Sequence, residues 1–158
     1  MSHHDLSAEF LNMLLDYSRC PWLEYAASEV RAGVREDTRP GHSNPRIDEY
    51  LSTVGMGDDD TPWCSAFVNW SMMQAGIPGT GKANARSWLH WGTAIVDCRL
   101  GAVAVLSRGN NNWQGHVTFY VGDNGANLLC LGGNQGNAVC VRPYARTRLL
   151  GMRWPFGY

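Results

Sequence analysis

The chain has 158 residues, of which 44% are hydrophobic and 17% are charged, and its formal net charge is -1. This is the length of one ordinary domain, and the composition is too apolar for a disordered segment. The small net charge gives no general attraction to nucleic acid or lipid, and no run of about 18 apolar residues could span a bilayer. We therefore expect neither nucleic acid nor a membrane as a partner.

The first twenty residues form a segment of their own. Apolar side chains recur at helical spacing over residues 5–18, which predicts an amphipathic helix with Leu6, Phe10, Met13, Leu14 and Tyr17 on one face. The segment lacks the basic start and apolar centre of a Sec signal peptide. We therefore interpret residues 1–20 as a helical extension of a domain over residues 21–158, made in the cytoplasm without a Sec signal.

Helical patterns dominate the first part of the main domain. They predict helices over residues 22–32, 45–51 and 62–76, and a short one near residues 87–91. The helix over 62–76 is apolar nearly all round, which is typical of a helix buried on most sides.

From about residue 101 the periodicity of the apolar residues changes from 3.6 to 2. Five short strands separated by Gly and Asn turns are predicted, over residues 101–107, 115–122, 127–133, 137–144 and 149–155. Helices followed by a run of strands predict an α+β domain with an antiparallel sheet.

The five cysteines contain no C-x-x-C pair, so their spacing does not favour a zinc site. Cys130 and Cys140 flank a Gly-rich turn, where they can form either a disulfide across a hairpin or two buried thiols. A metal-dependent hydrolase would need a cluster of His, Asp and Glu that the sequence does not offer. We therefore expect no metal and no cofactor.

The segment "TPWCSAFVNW" (61–70) places a cysteine at the start of the apolar helix. Thr61 suits the N-cap position and Pro62 the first helical position, which puts Cys64 in the first turn. The positive end of the helix dipole stabilises a thiolate there, although residues 58–60, all Asp, would oppose this if they approached the sulfur. Cys64 is therefore either a buried structural residue or a nucleophile.

A nucleophilic cysteine needs a base and a group that orients the base. His116 opens a strand on which His116, Thr118 and Tyr120 alternate with Val117, Phe119 and Val121, and the second set is predicted to face the core. Asn134 and Gln135 follow the next strand, and either side chain can accept a hydrogen bond from an imidazole N–H.

Three segments, "PWCSAFVNW", "GHVTFYVG" and "LGGNQGNAV", resemble the papain-like peptidoglycan hydrolases of the NlpC/CHAP amidase superfamily, in particular members found in phage lysins and interbacterial toxins. The resemblance extends over roughly residues 21–155. It implies a papain-like fold, with N-terminal helices on a five- to six-stranded antiparallel sheet. It also implies Cys64 as nucleophile, His116 as base and Asn134 as the third member, with Gln135 as the alternative.

One departure from the family affects the oxyanion hole. Many members have Gln or Asp directly before the cysteine, where this chain has Trp63. The oxyanion would then be bound by the backbone N–H of Cys64 and another donor. Around the proposed cleft we expect Trp63, Ser65, Trp88 and Trp113 to line a substrate groove, and residues 107–115 to form a mobile rim or lid.

The predicted function is cleavage of an amide in the peptide stem of bacterial peptidoglycan, by an antibacterial effector delivered by a secretion system such as type VI. A phage endolysin is the alternative, and an inactive module that binds wall peptides or a partner is an alternative of another class. We expect a monomer that acts on the cell wall, in the periplasm of a target or host cell. An effector implies a cognate immunity protein that blocks the cleft.

Overall fold

The structure is a computed structural model that describes residues 18–56 and 62–158. The helix predicted over residues 5–18 lies outside this part except for its last residue, and so do Thr61 and residues 58–60.

Three α-helices lie in the described part: α1 (Pro21–Arg31), α2 (Pro45–Ser52) and α3 (Cys64–Gln74). A proline begins both α1 and α2, where the missing N–H costs nothing, and the Asn44 side chain accepts from Arg46 N to cap α2. Two 3-10 helices cover Ala85–His90 and Arg146–Arg148. None of the described helices is long and apolar enough to cross a membrane.

Helix α3 begins two residues later than predicted. Trp63 is its N-cap, with φ -124° and ψ 18°, so Pro62 precedes the helix instead of opening it. Cys64 becomes the first helical residue, and every residue from Cys64 to Met72 is buried. The prediction of a helix buried on most sides is confirmed, and its cysteine lies in the first turn as expected.

Six strands form one antiparallel sheet in the order β1-β6-β2-β3-β4-β5. Their bounds are β1 (Thr93–Ile95), β2 (Val103–Ser107), β3 (Gly115–Asp123), β4 (Asn127–Gly132), β5 (Cys140–Ala145) and β6 (Leu149–Trp154). The predicted α+β class and all five predicted strands are confirmed. Strand β1 was not predicted, because it has only three residues at a sheet edge, two of them exposed, and these show no readable alternation.

Helix α3 packs on β3, and this contact brings the starts of the two elements together. Phe67 of α3 lies edge-on to Phe119 of β3 with ring centroids 6.5 Å apart, and Tyr50 of α2 lies edge-on to Phe67 at 5.1 Å. Val117, Phe119 and Val121 are buried as predicted. The opposite face is also covered, since His116 and Tyr120 are each only 8% exposed and Thr118 is fully buried.

Candidate active site

Cys64 lies at the first position of α3 and is 5% exposed. Burial raises the pKa of its thiol, but a hydrogen bond with the His116 side chain, the positive charge of His116 and the backbone N–H groups of Val117 and Ser65 lower it. The lowering contributions dominate, so the pKa of Cys64 lies below the ordinary value for a thiol. This environment favours a thiolate.

His116 is the second residue of β3, and its side chain contacts Gln135. His116 Nε2 lies 3.0 Å from Gln135 Oε1. The Gln135 side chain is buried, and its Nε2 donates to the carbonyl oxygens of Cys130, at 3.1 Å, and Cys140, at 2.8 Å. Both amide protons are thereby used, which leaves Oε1 as the atom that faces the imidazole.

This arrangement determines the tautomer of the imidazole. Because Gln135 Oε1 can only accept, His116 Nε2 carries the proton, and in the neutral ring Nδ1 holds the lone pair. Thr118 Oγ1 lies 2.8 Å from both Gln135 Oε1 and Leu131 O, so its single proton can be donated to only one of these oxygens at a time. Nδ1 is then the ring nitrogen available to the Cys64 thiol, as a general base requires.

Asn134 does not make the hydrogen bond with His116 that the sequence led us to expect, since Gln135 makes it. The backbone at Asn134 has φ 57°, in the left-handed region, directly after β4 ends at Gly132. The regular alternation of strand side chains therefore no longer applies, and Gln135 turns inward to His116. Asn134 instead lines the cleft beside Cys64, and it makes no hydrogen bond with any residue in the described ranges.

Two glycines allow the turn after β4 to approach the site closely. A Cβ at Gly132 would lie 2.5 Å from both Gln135 Oε1 and Thr118 Oγ1. A Cβ at Gly133 would lie 2.7 Å from Phe67 Cβ and from the Trp63 ring. Side chains at these positions would push the turn away from α3 and from His116.

An open cleft passes over the sulfur and consists of two cavities. A polar cavity of about 470 Å³ is lined by Glu36, Pro62, Cys64, Arg108, His116, Asn134, Asn137, Tyr144 and Arg148. A second, less polar cavity of about 280 Å³ is lined by Pro62, Cys64, Ala83, Asn84, Ala85, Arg108, Trp113, Gln114 and Gly115. Cys64 lines both, so a substrate can extend in either direction from the sulfur.

Three of the four residues expected to line the groove are fully buried instead: Trp63, Ser65 and Trp88. The Trp63 indole donates to Glu36 Oε1 at 2.8 Å, and the Trp88 indole donates to Ser65 Oγ at 2.9 Å. These three side chains pack inside the protein next to the site and do not line the groove. Trp113 is the exception, since it is 68% exposed and lines the second cavity.

The loop over residues 107–115 forms part of the cleft rim as expected, through Arg108, Trp113 and Gln114. Asn111 Oδ1 accepts from the backbone N–H groups of Trp113 and Gln114, at 3.1 and 2.7 Å. Arg86 donates to the carbonyl oxygens of Gln114, at 2.8 Å, and Asn111, at 3.1 Å. These bonds hold the loop in a defined shape at the rim.

All five cysteines lie in the described residues and carry thiols, so Cys130 and Cys140 form no disulfide. Burial raises the pKa of Cys130 to about 12, which is the opposite direction from Cys64. Within residues 18–56 and 62–158, no three His, Cys, Asp or Glu side chains are grouped so that they could hold a metal ion.

Sequence reasoning did not identify Tyr144 or the charged residues of the polar cavity. The Tyr144 ring lies 5.3 Å from the His116 ring and its hydroxyl lies 3.4 Å from His116 Nε2. Tyr144 lies on β5, and it is placed near His116 of β3 by the pairing of both strands with β4. Glu36, Arg108 and Arg148 come from three distant segments, and no local pattern connects them.

Comparison with known proteins agrees with this geometry. The model of the CHAP domain matches residues 56–134, which is half of the chain and includes Cys64 and His116. No curated protein matches the chain. CHAP domains are typically amidases or endopeptidases of peptidoglycan, so the match supports peptidoglycan hydrolysis as the general activity and the cell wall as its place of action. On the strength of this match, the chain belongs to the CHAP domain family of the NlpC/CHAP cysteine peptidase superfamily.

Proposed function

We propose that this protein is a cysteine hydrolase that cleaves an amide bond in the peptide stem of peptidoglycan, with residues 21–158 as its catalytic domain. The observation that carries the proposal is the hydrogen-bonded set Cys64, His116 and Gln135 at the floor of an open cleft. The cysteine has a lowered pKa, and the histidine has one ring nitrogen occupied by an acceptor, as nucleophilic catalysis requires.

In the proposed reaction the Cys64 thiolate attacks the amide carbonyl carbon, and a C–S bond forms as the carbonyl π electrons move to oxygen. When the tetrahedral intermediate collapses, the C–N bond breaks and His116 gives its proton to the departing amine. A water molecule then attacks the thioester while His116 accepts its proton. The C–S bond then breaks with its electron pair returning to sulfur, the carboxylic acid leaves, and the Cys64 thiolate beside protonated His116 is restored.

Gln135 has the orienting role in this scheme in place of Asn134. Its Oε1 accepts a hydrogen bond from His116 Nε2 in every step. This bond fixes the plane of the ring and directs Nδ1 towards the sulfur. Asn134 is assigned to substrate binding, because it lines the cavity and its carboxamide has both donors and an acceptor for a peptide.

The developing oxyanion needs donors near the sulfur. Cys64 opens α3, and the first N–H groups of a helix have no partner within it. The backbone N–H of Cys64 is therefore proposed as one donor, as the sequence led us to expect. Trp63 supplies no side-chain donor to the cleft, since its indole N–H is bonded to Glu36.

For the biological setting we propose an antibacterial effector delivered by a secretion system, with a phage endolysin as the alternative. The support is the resemblance of the site segments to toxin and lysin members of the superfamily. An adjacent gene whose product binds the cleft and inhibits the enzyme supports the effector, and an adjacent holin gene supports the endolysin.

The test of the function is digestion of purified peptidoglycan followed by mass spectrometry of the released muropeptides. The wild-type protein is expected to release fragments cut at one amide, and their masses distinguish amidase from endopeptidase action. Cys64→Ala is expected to fold and release none, while Cys98→Ala, which removes the exposed thiol, is the matched control. A Cys64→Ala protein that retains activity contradicts the mechanism.

An inactive binding module is the competing class of function. The lowered pKa of Cys64 opposes it, because a groove that only binds has no need of a reactive thiol. Wall binding without any released fragment from the wild-type protein would favour the module.

A further inference from the structure

The polar cavity beside Cys64 carries an asymmetric set of charges. Three of its lining residues have charged side chains: Glu36, Arg108 and Arg148. Arg108, like Cys64, also lines the second cavity, so one positively charged side chain is shared by the two cavities. Two positive charges and one negative charge make the cavity favourable to an anion, although the whole chain has a net charge of -1.

Arg148 is held in place at the cavity wall. Its Nε and Nη2 donate to Ser107 O at 3.1 and 2.9 Å, and its guanidinium lies over the Tyr144 ring at 5.2 Å. Tyr144 in turn lies against the His116 ring. A guanidinium fixed in this way loses little conformational freedom when it binds a ligand, unlike a free surface arginine.

Glu36 is fixed as well, since its Oε1 accepts from the buried Trp63 indole at 2.8 Å. Its carboxylate repels a second carboxylate and attracts an amine. An anionic group in the cavity is therefore driven away from Glu36 and towards the arginines, which gives the bound substrate a direction.

We propose that Arg108 and Arg148 bind a free carboxylate of the substrate, so that the enzyme prefers an amide that lies beside such a carboxylate. This proposal rests on the proposed hydrolysis of wall peptides and narrows the substrate class. Peptide stems of the wall carry carboxylates beside their amide bonds, and in some walls these groups are amidated, which provides a natural neutral comparison.

The first test measures how Cys64 discriminates an anionic reagent from a neutral one. The rate of alkylation by iodoacetate is divided by the rate with iodoacetamide, in a Cys98→Ala background and with peptide mapping to assign the product to Cys64. Both reagents react with the same thiolate, so a change in the pKa of Cys64 cancels in the ratio.

Arg108→Gln and Arg148→Gln are each expected to lower this ratio by about 3- to 10-fold, the effect of losing one partly screened charge. Glu36→Gln is expected to raise the ratio by about the same factor, because it removes a negative charge from the cavity. The Gln side chain still offers an acceptor to the Trp63 indole. Arg146→Gln is the matched control, since Arg146 lies in the same 3-10 helix but bonds Gly125 O and Asp123 away from the cleft. Its ratio is expected to equal that of the wild type.

The outcome that overturns the proposal is a ratio in the two arginine variants equal to that in Arg146→Gln, in proteins with unchanged melting temperatures. If Arg148→Gln fails to fold, Arg108→Gln decides, because Arg108 is exposed and makes no hydrogen bond with any residue in the described part of the chain.

The second test uses two synthetic stem peptides that differ only in a carboxylate or a carboxamide beside the cut amide. The wild-type kcat/KM is expected to be about 3- to 10-fold higher for the carboxylate, and Arg148→Gln is expected to remove the difference. Equal values for the two peptides in the wild type overturn the proposal. If neither peptide nor whole peptidoglycan is cut, the proposed hydrolysis fails, and the alkylation ratio still decides whether the cavity prefers an anion.

Discussion

The reactivity of Cys64 depends on the balance between burial and hydrogen bonding at one sulfur atom. Burial alone raises the pKa of a thiol, as it does for Cys130. At Cys64 the His116 side chain and two backbone N–H groups outweigh burial, so the pKa of this thiol is lowered instead. Two buried cysteines in one small domain therefore differ in chemistry because only one has donors around it.

This balance predicts a pH dependence of alkylation. Since the pKa of Cys64 is lowered, its thiolate forms at a lower pH than in an ordinary thiol, and the rate of alkylation by iodoacetamide should rise at a correspondingly lower pH. His116→Ala removes the hydrogen bond and the positive charge but not the burial, so the rise in rate should move to higher pH. An identical rate profile over pH 5–9 in both proteins would show that the two residues are not coupled.

The choice of the third residue makes a second prediction. Gln135→Ala frees the imidazole to rotate and to change tautomer, so turnover is expected to fall about 10- to 1000-fold, about 1.4 to 4 kcal/mol of barrier. Its alkylation profile should also shift towards higher pH. Asn134→Ala, at the neighbouring residue, is the matched control. It is expected to raise KM and to leave the alkylation profile unchanged, because Asn134 makes no hydrogen bond with His116. The reverse pattern would restore Asn134 as the orienting residue.

At residue scale the sequence was informative where the signal was local. The position of Cys64 in the first turn of a helix and that of His116 near the start of a strand could be predicted from local patterns, while their catalytic roles remain proposals. The choice between Asn134 and Gln135 depended on a left-handed residue after β4, and neighbouring amides in a Gly-rich turn give no local sign of which one turns inward. Trp63, Ser65 and Trp88 were misplaced because their polar atoms find partners inside the protein.

At the scale of elements, the turn after β4 must lie close to both α3 and β3. Gly132→Ala is predicted to displace Gln135 or Thr118, because its Cβ would lie 2.5 Å from polar atoms of both. Turnover should fall at least about 10-fold with little loss of secondary structure. Gly151→Ala in β6 is the control, since its Cβ would meet only Leu89 Cδ2, at 3.2 Å. Equal turnover in the two variants would mean that the close approach has no role in catalysis.

A second junction between elements joins α3 to the 3-10 helix Ala85–His90. Ser65 Oγ donates to Lys82 O at 2.6 Å and accepts from the Trp88 indole at 2.9 Å. Ser65→Ala leaves a buried N–H unpaired and is expected to lower the free energy of unfolding by about 1–3 kcal/mol. In urea unfolding, Ser65→Ala should cost less in a Trp88→Phe background, where no indole N–H remains. If the losses in unfolding free energy from the two substitutions were strictly additive, the hydrogen bond between Ser65 and Trp88 would make no contribution to stability.

At the scale of the whole molecule, the sheet order and the cleft could not be read from the sequence. β6 pairs with both β1 and β2, so the last strand lies inside the sheet, and this pairing depends on contacts between distant segments. The polar cavity likewise combines residues from before α2, from the loop after β2 and from the segment before β6. Periodicity reveals which face of a strand is buried, but it does not reveal which segments meet.

The two cavities on either side of Cys64 predict that substrate binding can be weakened without changing the thiol. Trp113 is exposed and lines the second cavity, on a rim loop whose backbone is held in shape by hydrogen bonds from Arg86 and to Asn111. Trp113→Ala is expected to raise KM for peptidoglycan fragments by about 10-fold, with kcat nearly unchanged. Iodoacetamide is too small to contact Trp113 while it reacts with Cys64, so the rate of alkylation should equal that of the wild type.

Phe156→Ala is the control, because Phe156 is 74% exposed but lines neither cavity. An unchanged KM in Trp113→Ala, or an equal rise in Phe156→Ala, would exclude Trp113 from the binding surface.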